Sequence, residues 1–265
     1  MGKIGIIGLG FVGSAIKQAF WNEDQLVLVD NDKTRGRDPF QDLTMCDGVF
    51  VCVPTPQDDN GVCDTSILED ILAKLKLINF EGVIISKCTA PPDVYTRLNE
   101  EFPNLVHAPE FLTAANAAQD YANGTFAIIG GRIKAYRDLA ETIIKSTQGG
   151  LRDVQHCTIA EASLAKYAIN TFMATKVVFM NELYSLAEAS ECNYNKIASM
   201  IKSDVRIGNS HMKVPGPDES FGFGGACFPK DTSALLKYAE SLNIQMNVLD
   251  AAVKKNTLLR LTEPK

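Results

Sequence analysis

Lys3-Ile4-Gly5-Ile6-Ile7 runs without a break into Gly8-Leu9-Gly10-Phe11-Val12-Gly13, and Ser14 to Phe20 follows with helical spacing. Strand, Gly-x-Gly-x-x-Gly, helix is the context that lifts this glycine pattern above chance. The glycines permit a tight turn and a close backbone approach, and the opening N–H groups of the helix attract a pyrophosphate. The next strand, Leu26-Val27-Leu28-Val29, ends at Asp30. A carboxylate there accepts from the ribose hydroxyls of NAD and repels the 2′-phosphate of NADP, so NAD is the expected cofactor. Arg35 follows closely enough to keep NADP open as the alternative. Gly8, Gly10, Phe11, Val12, Gly13, Asp30 and Arg35 are the first candidate cofactor residues.

Strand and helix patterns then alternate. Asp47 to Val53 reads as a buried parallel strand, and it ends in Pro54-Thr55-Pro56, at the strand end where ligands bind in such sheets. Val83 to Ser86 is another strand, followed by Lys87-Cys88-Thr89, and Phe126 to Gly131 one more. Helices are expected over 64–77, with Asp64 or Thr65 as cap, over 93–101 and over 135–146. Residues 31–45 are polar and leave little room for a helix. The alternation predicts an α/β fold, a Rossmann-like doubly wound parallel sheet occupying residues 1–156.

The pattern changes at Thr158, where one helical stretch runs to about Glu191. It is apolar on more than one face, through Leu164, Tyr167, Phe172, Val178, Met180 and Leu183. A helix of that kind is buried on most sides, which predicts a homodimer built on it. Within it Lys166 and Asn170 stand four apart and share a face. Polar groups among apolar neighbours need partners, unless the lysine snorkels to solvent. Shorter helices over 193–202, 232–241 and 246–259 complete an all-helical second domain, residues 157–265, with one long central helix.

Phe221 to Asp231 reads Phe-Gly-Phe-Gly-Gly-Ala-Cys-Phe-Pro-Lys-Asp. Gly222, Gly224 and Gly225 make this a loop whose backbone can approach a ligand. Cys227 stands ahead of the helix expected from Thr232, where the local field favours a thiolate. Lys230 and Asp231 supply a cation and an acid beside it, as an activated sulfur nucleophile requires. A glycine-rich turn with an inert cysteine is the plainer reading of this block taken alone.

Composition excludes other classes. The net charge is −6 with no basic block, which argues against a nucleic-acid partner. No apolar run approaches the ~20 residues that cross a bilayer. The chain opens directly in a strand pattern, so no signal peptide is expected. Seven cysteines at irregular spacing, with no Cys-x-x-Cys pair, suggest a reduced cytoplasmic protein without a disulfide framework or metal site. The three histidines, at 107, 156 and 211, have no ligand spacing.

Several blocks stand in order: GLGFVG, VCVPTP with Gly61 and Asp64, KCTAPP, PEFL, Lys166-Tyr-Ala-Ile-Asn170 with Asn181-Glu182, and FGFGGACFPKD. From residue 3 to about residue 255 the chain resembles the UDP-glucose/GDP-mannose dehydrogenase family. The resemblance implies a four-electron oxidation of a nucleotide-sugar C6 alcohol to the acid with NAD, UDP-glucose being the first substrate to expect. It makes Cys227 the nucleophile that attacks the aldehyde. Lys166 and Asn170 would steady the alkoxide, and Asp231 would help in proton transfer and in placing Lys166. Thr89 and Glu110 would handle the hydrolytic water. Phe111, Leu112, Lys166, Asn170, Phe221, Gly222, Gly224 and Gly225 would hold the sugar, and Thr55, Thr89 and Lys230 would join the cofactor residues.

The chain departs from the family pattern at three places. Ala114 stands where the family usually has a second glutamate. The segment after Asp30 is short. The family carries a further C-terminal nucleotide-binding domain, which this chain is expected to lack. Two other readings stay open. One is a two-electron β-hydroxyacid-type dehydrogenase, which also pairs a Rossmann domain with a Lys-x-x-x-Asn helix but has no use for Cys227. The other is a truncated non-catalytic NAD-binding paralogue.

Overall fold

The first glycine turn joins β1 (Lys3–Ile7) to α1 (Phe11–Gln18). The structure, a computed structural model, describes residues 2–58, 60–113 and 116–262. The further strands are β2 (Leu26–Val29), β3 (Cys46–Val51), β4 (Val83–Ser86), β5 (Leu105–His107), β6 (Phe126–Gly130) and β7 (Asp153–Cys157). They form one seven-stranded sheet in the order β2-β1-β3-β4-β5-β6-β7. Ile6 of β1 stands in register with Leu28 on one side and Phe50 on the other. The mainly parallel, doubly wound sheet is as the sequence predicts. One junction differs: β5 meets β6 antiparallel, at His107 and Gly130, while β6 and β7 are parallel to each other. Side-chain alternation is the same for both strand directions, so the pattern carries no sign of this reversal.

The chain divides into two units, Met1–Asp58 with Cys63–Lys166, and Asp59–Val62 with Tyr167–Lys265. In the first unit the sheet is covered on both faces. Val49, Val51, Leu68, Leu72, Tyr95 and Leu98 pack together under α2 (Ser66–Leu77) and α3 (Pro92–Glu101). Ile6, Ile16, Phe50, Ile85, Ile143 and Ile144 fill the other face, under α1 and α5 (Lys134–Lys145). Successive residues of β3 thus feed opposite cores, which is why it reads as an unbroken apolar run. Each fully buried Leu or Ile contributes ~1.5–3 kcal/mol.

Phe40–Met45 is a short 3₁₀ helix in the stretch expected to leave little room for one, anchored by the fully buried Leu43. β7 is an edge strand with a mostly exposed pattern, and the six-residue α4 (Ala117–Ala122) is short, so neither has a strong periodic signal. Thr65 is the N-cap of α2, but it is Asp64 that accepts the Ser66 N–H, at 2.9 Å.

The long helix, α6 (Ile159–Ala189), begins with a capping box. Glu161 accepts from Thr158 N–H at 2.7 Å, and Thr158 Oγ1 accepts from Glu161 N–H at 3.3 Å. The second unit holds the rest of α6 with α7 (Tyr194–Lys202), α8 (Phe228–Ser241) and α9 (Asn247–Arg260). Its cores gather around Met180, Tyr194 and Met212, and around Ala174, Val178, Phe223 and Ala252. The α8 start at Phe228 corrects the expected start at Thr232. Pro229 lies in the first turn, where a missing N–H costs nothing, so the proline belongs to the helix and not to the loop. Among the described residues no helix is long and apolar enough to cross a membrane.

Candidate active site

In the first unit the glycine turn has the form a dinucleotide needs. Gly8 has φ +85°, which favours glycine, and a Cβ there would lie 2.8 Å from the Cys52 carbonyl oxygen. A Cβ on Gly13 would fall 1.9 Å from the Gly8 carbonyl oxygen, so the helix packs directly on the turn. Gly10, the N-cap of α1, has nothing within 4 Å of its Cβ position and faces open space. A cleft of about 640 Å³ lies there, lined by Leu9, Gly10, Phe11, Thr34 and Arg35 among others. Asp30 follows β2, as expected. Its Oδ2 accepts from Leu9 N–H at 2.5 Å and its Oδ1 from Asp32 N–H at 2.8 Å. Asp30 therefore shapes the turn and still has lone pairs free of these two bonds. Arg35 is exposed and pairs with Asp32 at 3.3 Å. Open cleft, bare glycine and acceptor together fit an NAD.

Further along the same sheet edge, Thr55 Oγ1 donates to the Thr89 carbonyl at 2.7 Å, tying the ends of β3 and β4 together. Glu110, just after β5, is half-buried. Its carboxylate accepts from Leu112 N–H at 2.7 Å and from Lys166 Nζ at 3.2 Å. Lys166 Nζ also donates to the Glu110 main-chain carbonyl and lies 5.1 Å from the centre of the Phe111 ring, which packs on Phe126. Lys166 is 3% exposed, so it does not snorkel. Its charge has a carboxylate, a carbonyl and a ring face as partners, as a buried cation needs. Ala114 lies outside the described residues.

Lys87, the first residue of the KCTAPP block, is a second buried amine. It follows the wholly buried β4 and lies 5.9 Å and 5.8 Å from the Phe50 and Tyr121 ring centres. Burial pulls its pKa down to about 8. The signal was available, since a lysine directly after four buried strand residues has little route to water. His107 is buried, stacks on Tyr95 at 4.2 Å and donates from Nδ1 to the Ser86 carbonyl at 3.2 Å. Burial pushes its imidazole down to about 3, so it stays neutral.

The second unit assembles the block around Cys227. Cys227 is exposed and is the N-cap of α8, closer to the helix start than the sequence reading placed it. Asp231, in the first turns of α8, is 1% exposed. Its Oδ2 accepts from Asn170 Nδ2 at 2.6 Å and its Oδ1 from Lys230 Nζ at 2.5 Å. Both carboxylate oxygens are satisfied, which is the condition for keeping a buried charge. The loop ahead of Cys227 takes two left-handed residues, Gly222 at φ +73° and Gly225 at φ +77°. Gly225 has open space at its Cβ position, while Gly224 lies under Arg260, which pairs with Asp218 at 2.6 Å. Phe221 packs beside Tyr184, ring centres 5.7 Å apart.

Comparison with known proteins agrees with this architecture. Residues 36–148 match the NAD binding domain of the UDP-glucose/GDP-mannose dehydrogenase family, and residues 160–258 match its central domain. A UDP-glucose 6-dehydrogenase of Rickettsia bellii is 31% identical over 223 residues, 82% of this chain and 50% of that protein. One from Campylobacter jejuni is 29% identical, over 97% of this chain and 72% of the relative. The chain thus spans about half the length of several curated relatives it matches. In fold it is similar to a UDP-glucose dehydrogenase of Pyrobaculum islandicum, with a TM-score of 0.83 at 23% identity over 97% of this chain and 68% of the other.

Proposed function

The chain belongs to the UDP-glucose/GDP-mannose dehydrogenase family and carries its NAD binding domain, and we propose that it oxidises the C6 alcohol of a nucleotide sugar to the acid through Cys227. UDP-glucose is the first substrate to try, because it is the substrate named for the matching relatives. One observation carries the reading: Asn170 and Lys230 hold a buried Asp231 at the head of the helix that Cys227 caps. A helix with an inert cysteine has no need of a buried, doubly satisfied acid in its opening turns.

The proposal gives residues 1–156 to the cofactor, with Thr89, Glu110, Phe111 and Leu112 reaching the reaction from there, and residues 157–265 to the sulfur chemistry and dimerisation. Gly8, Gly10, Phe11, Val12 and Gly13 form the turn for the pyrophosphate. Asp30 takes the ribose, with Arg35, Thr55 and Thr89 along the same edge. When bound, NAD supplies the hydride acceptor for both oxidations. Cys227 Sγ adds to the aldehyde carbon, because an aldehyde must become tetrahedral before its carbon can give up hydride. On addition the thiol proton passes to the former carbonyl oxygen. That hydroxyl proton is given up, with Asp231 assisting, as the adduct carbon yields its hydride and the thioester C=O forms, and Lys166 and Asn170 stabilise the negative charge that develops on the oxygen in that step. Hydrolysis of the resulting thioester needs a water and a base, tasks given to Thr89 and Glu110. Phe111, Leu112 and the Phe221–Gly225 loop are assigned to the sugar. Phe172, Phe179 and Leu186 are exposed on α6 at seven-residue spacing and support a homodimer built on that helix. A reducing, cytoplasmic setting suits the thiol chemistry.

The test is NADH formation against a panel of UDP-sugars, GDP-sugars and small hydroxyacids. Two NADH per nucleotide sugar is the expected result. One NADH from a hydroxyacid would give the two-electron alternative instead. NAD binding without any oxidation would make the chain a non-catalytic paralogue.

A further inference from the structure

Two buried asparagines, from different helices, grip the main chain just ahead of Cys227. Asn181 on α6 is 2% exposed. Its Nδ2 donates to the Val177 carbonyl at 2.8 Å, and its Oδ1 accepts from Gly222 N–H at 3.0 Å. Asn256 on α9 is 8% exposed. Its Oδ1 accepts from Phe223 N–H at 2.6 Å, and its Nδ2 donates to the Phe223 carbonyl at 3.0 Å. Asn256 thus pairs with Phe223 as a neighbouring strand would, using both ends of its amide.

The grip explains the residue types of the loop. A Cβ at Gly222 would lie 2.3 Å from Asn256 Oδ1, so the asparagine itself demands glycine there, apart from the left-handed φ. Phe223 is buried against Ala174, Val178 and Ala252 and seats the loop from its other side. Beyond it come Gly224, Gly225 and Ala226, which have no side chain large enough to fix their own course. Phe223, held by Asn256, is therefore the fixed point from which the chain reaches Cys227, and α8 is the anchor on the far side.

We infer that Asn181 and Asn256 are positioning residues, which act through Gly222 and Phe223 to set the path of the loop and the presentation of the Cys227 sulfur to a sugar substrate. The inference rests on Cys227 as the nucleophile and deepens that reading. It singles out the paired donor and acceptor of each amide. An Asn256→Asp side chain keeps an acceptor for Phe223 N–H but turns a carboxylate oxygen towards the Phe223 carbonyl. An Asn181→Asp side chain does the same at Val177.

The test measures alkylation of Cys227 by iodoacetamide in the full chain, site by site by peptide mass spectrometry. The exposed Cys192 serves as internal reference. Asn256→Asp is expected to slow Cys227 roughly fivefold or more while Cys192 keeps its rate, because a displaced thiol leaves the field of the helix start. Asn181→Asp carries the same expectation and decides the matter if Asn256→Asp fails to fold. With UDP-glucose, both variants are expected to lower kcat and raise KM for the sugar while the Kd for NAD is unchanged. An unchanged or faster rate at Cys227 in a folded variant, or a fall shared by Cys192, overturns the inference. If no nucleotide sugar is oxidised, the proposed function fails, while the alkylation rates still decide whether the two amides place the sulfur.

Discussion

Asn170 Nδ2 donates to Asp231 Oδ2 at 2.6 Å across 61 residues of sequence, with both side chains buried. The contact ties the middle of the long helix to the first turns of α8. Asn170→Asp would put a second carboxylate against the first. Two buried carboxylates in contact cannot both ionise, so the pair should hold a proton above the usual carboxylate range. The folded state then binds more protons than the unfolded state, and stability falls as pH rises. We expect a loss of roughly 2–4 kcal/mol at pH 8 and a smaller loss at pH 5, read from denaturant midpoints. Equal losses at both pH values would show that the two groups do not share a proton.

Lys87 gives a pH dependence of the opposite sign. Its folded pKa of about 8 lies below the unfolded value of 10.5. Between those values the unfolded chain holds a proton that the folded chain lacks, so stability rises with pH across that window. Below pH 8 the full penalty is present, roughly 3 kcal/mol at ~1.4 kcal/mol per pH unit. Lys87→Met is therefore expected to raise stability at pH 7 and to lose that advantage near pH 10.5. Denaturant midpoints at the two pH values check it, and a Lys87→Met protein no more stable than wild type at pH 7 would contradict it.

Much of this was legible in the sequence because single residues carried a period and a chemistry together. Gly8 to Gly13 sits between a strand and a helix, so the turn and its role came from one short window. Lys166 and Asn170 were visible as polar residues on an apolar helix, and burial of both is what that pattern required. Their partners were not legible. Glu110 and Asp231 lie 56 and 61 residues away, and no local period encodes which carboxylate meets which amide or amine. The antiparallel entry of β6 was hidden for a related reason, since strand direction is set by the connection and not by the strand. Asn256 was missed because one asparagine in an amphipathic helix looks like a solvent residue until its partner Phe223 is known.

Cofactor choice rests on Asp30. NAD is expected to bind at least about tenfold more tightly than NADP, because a carboxylate at this position repels a 2′-phosphate. Titration of the full chain with each cofactor measures the ratio. Asp30→Ala should weaken NAD as well, since it removes both the proposed ribose acceptor and the bond to Leu9 N–H. Tighter binding of NADP would transfer the role to Arg35.

The exposed Phe172, Phe179 and Leu186 predict self-association. Phe179→Asp should convert a dimer to a monomer in light scattering at micromolar concentration. Its thermal stability should then cease to depend on protein concentration. A wild-type monomer at that concentration would remove the proposed role of this helix face.

The central claim is that both oxidations pass through the sulfur of Cys227, and a trapped intermediate tests it most directly. Glu110→Gln removes the proposed base while keeping the size of the side chain and an acceptor for Leu112 N–H. Incubated with UDP-glucose and NAD, this variant should accumulate a thioester, seen by intact-protein mass spectrometry as the added mass of one substrate acyl group. Peptide mapping should place it on Cys227, and Cys227→Ala in the same background should abolish it. No adduct, or an adduct on another cysteine, together with one NADH per substrate in the wild type, would contradict the account.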